Sequence, residues 1–89
     1  MASIRTLKKE INDVLGGIIE AVYIWEIAEN KPNSKKADLI IDETIAVFDE
    51  LMAKVNNKKI EERKKHLKEV HRELEEKARG LIAQVNALN

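Results

Sequence analysis

Apolar residues recur at three- and four-residue spacing along nearly the whole chain, which is the period of an amphipathic helix and not of a strand. In the first third, Ile4, Leu7, Ile11, Val14, Leu15, Ile18, Val22 and Trp25 fall within an arc of about 100° when projected at helical pitch. Helix 1 is therefore expected over about residues 4–29, with Ser3 as its N-cap. Its second half carries more apolar positions than one docking face needs. Ile19, Tyr23 and Ile27 form a second row, and Gly17, Ala21, Ile24 and Ala28 a third, spaced 4-3-4 on the far side. That half is expected to be covered nearly all round, by the rest of the fold or by another molecule.

Asn30-Lys31-Pro32-Asn33-Ser34 breaks the pattern, and Ser34 or Asn33 supplies the next cap. Helix 2 is expected over about 35–56, with Ala37, Ile40, Ile41, Thr44, Ile45, Val47, Phe48, Leu51, Met52 and Val55 on one wide face. The stripe lapses at Asn56-Asn57-Lys58-Lys59, so a turn is expected there, with Asn57 capping helix 3 over about 59–88. The alternative is one continuous helix over about 35–88. Helix 3 places Ile60, Leu67, Val70, His71, Leu74, Ala78, Leu81, Ile82, Val85 and Leu88 on its core face. Arg63 and Lys64 interrupt that face near its start. Outside it, Glu61/Lys65, Glu73/Lys77 and Glu75/Arg79 stand at the favourable i, i+4 spacing.

These elements give an all-α fold: an antiparallel up-down-up three-helix bundle forming one domain over 1–89. With 3 glycines and 1 proline in 89 residues, composition agrees with long helices and few turns. Sixteen acids balance sixteen bases, so no net field draws the chain to nucleic acid or an anionic membrane. The basic run Lys58, Lys59, Arg63, Lys64, Lys65 and Lys68 is broken by Glu61 and Glu62 and lacks a stacking aromatic. Nucleic-acid binding is not expected. Cysteine is absent, which removes thiol chemistry.

The least charged run, Val14 to Trp25, is shorter than the roughly 20 residues of a membrane span. Charge at Arg5, Lys8 and Lys9 argues against a secretory leader. The expectation is a cytoplasmic protein.

Candidate chemistry is sparse. His71, on the core stripe, stands level with Thr44, and the two are expected to form a buried polar pair. His66 projects to solvent. No H-E-x-x-H or E-x-x-H motif occurs. Asp38, Asp42 and Asp49 line one edge of helix 2, where they could bind a divalent cation; a solvated edge pairing with helix 3 lysines and arginines is the simpler reading. Ser3 and Ser34 sit where caps are needed, so nothing supports nucleophilic catalysis. No enzyme activity, cofactor or small-molecule substrate is expected.

The segments SIRTLKKEINDVLGGIIEAVYIWE, IIDETIAVFDELMAKVN and ELEEKARGLIAQVNAL together resemble a family of small bacterial helical proteins without assigned function. The resemblance implies a compact helical protein and brings no site residues with it.

The expectation is thus a non-enzymatic interaction protein, self-associating as a dimer through Gly17, Ile19, Ala21, Tyr23, Ile24, Ile27 and Ala28. A regulatory module of antitoxin or immunity type would instead hold the same patch for another protein. A ligand- or metal-binding bundle would use His71 or the Asp38/Asp42/Asp49 edge.

Overall fold

Ser34 starts the clearest boundary. Its backbone is extended, and its hydroxyl oxygen accepts a hydrogen bond from the Ala37 amide at 3.3 Å, satisfying a donor that the first turn of a helix leaves free. The computed structural model describes residues 4–30, 34–57 and 61–88 and folds them into α1 (Ile4–Ala28), α2 (Lys35–Asn56) and α3 (Arg63–Asn86). The Ser3 cap and Ile60 lie outside the described residues.

Each helix packs against the other two. Contacts between elements fix the directions. Glu10 meets His71, and Ala21 shares a groove with Ile82, so α1 and α3 run parallel. Lys54 meets Glu73, and Glu43 meets Gln84, so α2 and α3 run antiparallel. The fold is an all-α, up-down-up three-helix bundle about 48 Å long.

The α1 stripe Leu7, Ile11, Leu15, Ile18 and Val22 is sealed, none of it more than 4% exposed. Ala37, Ile40, Val47, Leu51 and Val55 of α2 and Leu67, Val70, Leu74, Ala78 and Leu81 of α3 close over it, with Leu88 tucked under the end of α3. Val14, Ile45 and Ile82 depart from their expected core places and stand exposed, because each lies at the margin of its stripe, along the open edge of a groove between helices.

The helix ends also differ from the pattern. Asn30 terminates α1 in the left-handed region (φ 53°), a conformation asparagine tolerates better than most residues. Asn57 does not cap helix 3. It is extended and closes α2, donating its amide to the Lys54 carbonyl at 3.3 Å. Residues 61 and 62 are non-helical, and α3 begins at Arg63 with no side-chain cap from Glu62. The physical reason is the interrupted stripe: Arg63 and Lys64 offer nothing to dock, and the apolar face resumes only at Leu67. The non-helical break and the antiparallel return of α3 overturn the continuous 35–88 helix.

Ser34→Ala should cost about 1 kcal/mol, read as a lower midpoint in urea unfolding with an unchanged slope. An unaltered midpoint would mean that the cap bond contributes nothing.

Candidate interaction surface

Thr44 and His71 do not meet. Thr44 is fully buried, but its hydroxyl donates to the Ile40 carbonyl one turn back at 2.7 Å. This local bond satisfies a threonine inside a helix without a partner from elsewhere. His71 is rotated toward α1, half-buried, with Nε2 2.9 Å from Glu10 and Nδ1 3.4 Å from Glu75. The expected shared level does not hold: with Lys54 opposite Glu73 and Glu43 opposite Gln84, Thr44 stands near Ala83 and His71 near Asn56, about 18 Å apart along the bundle at about 1.5 Å per residue, because the break before Arg63 shifts α3 along α2.

His66 is also not a solvent-facing residue. It is half-buried, and its Nε2 lies 2.8 Å from the Lys54 carbonyl at the end of α2. A carbonyl only accepts, so this ring nitrogen carries the hydrogen. The same lysine reaches α3 with its side chain: Nζ is 2.8 and 2.9 Å from the two Glu73 oxygens and 3.3 Å from Glu50. The hydrogen bonds it donates to Glu73 hold the Lys54 ammonium above its ordinary pKa of 10.5, against partial burial, and Glu50 adds to the rise. Glu73 is thus engaged across helices, not with Lys77. On the surface of α3, Arg72 pairs with Glu76, and Lys65 with Glu62.

Asp38, Asp42 and Asp49 are exposed, and among the described residues none of them forms an ion pair. No group of three or more metal-ligating side chains is found among the described residues. No helix of the described residues is long and apolar enough to cross a membrane.

The surface that stands out is the outer half of α1. Tyr23 is 53%, Ile24 58% and Ile27 81% exposed. Ile19 and Ala21 are partly covered, Gly17 and Ala28 open. A groove of about 250 Å³ runs between α1 and α3, lined by Val14, Gly17, Ile18 and Ala21 on one side and Ile82 and Val85 on the other. A second, of about 200 Å³, lies between α1 and α2, where Leu15, Gly16 and Ile19 face Ile45 and Phe48. Each groove holds one glycine of the Gly16-Gly17 pair. A Cβ built on either glycine would meet nothing within 4 Å, and neither has a positive φ. Glycine inside a helix costs up to about 1 kcal/mol relative to alanine. Within this chain nothing requires that cost.

No family model, curated protein or solved structure matches this chain.

Glu26 is the residue that the sequence pattern passed over. It continues the α1 stripe one turn beyond Val22 and is 8% exposed, the only buried charged side chain among the described residues. Its signal was position: a carboxylate on a core-facing line of an amphipathic helix.

The raised Lys54 pKa carries a sign. The pair contributes stability that is full below the unfolded value, about 10.5, and is lost as pH rises through the higher folded value. Because both side chains keep solvent contact, its size is about 0.2–1 kcal/mol. A double-mutant cycle of Lys54→Met and Glu73→Gln should show that coupling unchanged from about pH 6 to 9 and falling away as pH rises through the folded Lys54 value, above 10.5. A coupling that survives at the higher pH would show that the ammonium charge is not its source.

Proposed function

We propose that this chain is a non-enzymatic interaction protein that self-associates as a dimer through the second half of α1. The observation that carries the reading is the exposure of Tyr23, Ile24 and Ile27 beside small residues with open space above them. Clustered apolar surface on a small soluble domain signals an interface more than scattered leucines do.

A second copy is the occupant that the spacing fits. Two α1 helices crossing antiparallel about a dyad between Ala21 and Ile24 would set Gly17 opposite Ala28 and Ala21 opposite Ile24. Every bulky residue of that row would then face a small one. Two-fold interfaces are self-complementary in this sense. The formal net charge of +0 places no overall repulsion between copies. The glycine cost in α1 also gains a reason, since a partner backbone could approach closely there.

Light scattering after gel filtration over a tenfold concentration range should give twice the 10.2 kDa chain mass at the upper end. Ile24→Glu, at an exposed position, should leave helicity intact and return the protein to a monomer. Gly17→Ala should raise the unfolding free energy of the monomer by up to about 1 kcal/mol while weakening association. A wild-type monomer throughout, or an Ile24→Glu protein that still dimerises, would remove this interface. The monomer result would hand the patch to a different protein.

A further inference from the structure

Within its last turn, α1 carries charge of one sign only. Its last carbonyls form the negative end of the helix dipole. Glu26 lies in that last turn, and the turn holds no basic side chain. A carboxylate is the wrong charge for this place. Glu26 makes no hydrogen bond or ion pair with a described residue. Its oxygens are not sealed away. The side chain is covered along its stem, and it lines an open hollow of about 470 Å³ together with Tyr23, Ile27 and Asn30.

The lining selects a ligand class. The hollow falls within the size range of small-molecule sites. Glu26 and the helix end repel anions. A hard metal ion would ask for several oxygen ligands, and one carboxylate does not supply them. Ile27 and the Tyr23 ring offer apolar contact, and an aromatic face also attracts cations.

We propose that this hollow binds an organic ammonium ion with an apolar body. The ammonium donates to the Glu26 carboxylate at the negative end of α1, while the body lies along Ile27 and against Tyr23. This site shares Tyr23 and Ile27 with the self-association surface, but it depends on the charge at Glu26, which that surface does not use.

The test is a titration with 2-phenylethylamine, followed by amide NMR shifts at fixed pH and ionic strength. Saturable shifts confined to about residues 23–30 are expected. 2-Phenylethanol, which replaces the ammonium by a hydroxyl, should bind at least about tenfold more weakly, as should the amine to Glu26→Gln. Glu26→Gln keeps the side chain's shape, and a melting curve checks that the variant is folded. Lys31→Met serves as the control for the chain's own nearest ammonium in sequence. It should change the affinity by less than about twofold. Equal binding of the alcohol, or an undiminished affinity in Glu26→Gln, would reduce the hollow to a greasy surface and overturn the proposal. So would a Lys31→Met protein that binds tenfold more tightly, since the site would then already be filled from within. Absence of saturation at millimolar amine would also overturn it.

Discussion

The bundle depends on the burial of one stripe of α1. Leu7, Ile11, Leu15, Ile18 and Val22 form the wall against which both other helices close, and they are the most thoroughly sealed run in the chain. Burial of apolar surface is the dominant favourable term in folding, and a chain of 89 residues has little of it to spare. The polar links between helices have a different role. His71 with Glu10, Lys54 with Glu73 and Gln84 with Glu43 all lie at the rim, where exposed pairs add little stability. What they add is register: three contacts at three levels allow one sliding position of α3 against its neighbours.

The fold was legible because its signals are periodic and local. Apolar spacing defined the three helices, and Ser34 marked a boundary through a hydrogen bond that reaches only three residues ahead. The start of α3 was harder, because no capping side chain or glycine announces it; the interruption of the stripe at Arg63 and Lys64 was visible, but its consequence for the boundary was underestimated. Long-range polar contacts escaped for a further reason. A helical projection gives the angle of a side chain on its own helix and says nothing about what lies across from it. His66 pointed outward on that projection, yet the end of α2 lies there. His71 sat at the margin of its stripe, and the register of α3, displaced by the break before Arg63, set it beside Glu10 and far along the axis from Thr44.

The outer half of α1 was legible as an excess, though not as a site. Counting apolar rows identified more surface than one docking face consumes, and the exposures of Tyr23, Ile24 and Ile27 locate the surplus that the fold leaves uncovered. Glu26 was overlooked because periodicity searches follow apolar residues, and a carboxylate on the stripe reads as an interruption. A charged residue covered along its stem on a core-facing line is the more informative departure, because hydrophobic residues on a surface are common and charged residues so covered are not.

These features bear on how α1 holds its shape. Gly16 and Gly17 weaken its middle, Glu26 opposes the dipole at its end, and no acidic residue supports its first turn. By intrinsic preference α1 is therefore a poor isolated helix, and its stability comes from packing against α2 and α3. That support falls on one side. The back of the helix, at Tyr23, Ile24 and Ile27, stands exposed, and the glycine cost in its middle is not recovered through the monomer's own contacts. In a chain with only a modest core, that cost is what the proposed external contacts would offset, and the negative charge of Glu26 distinguishes the one proposed there from the apolar one proposed at Ile24.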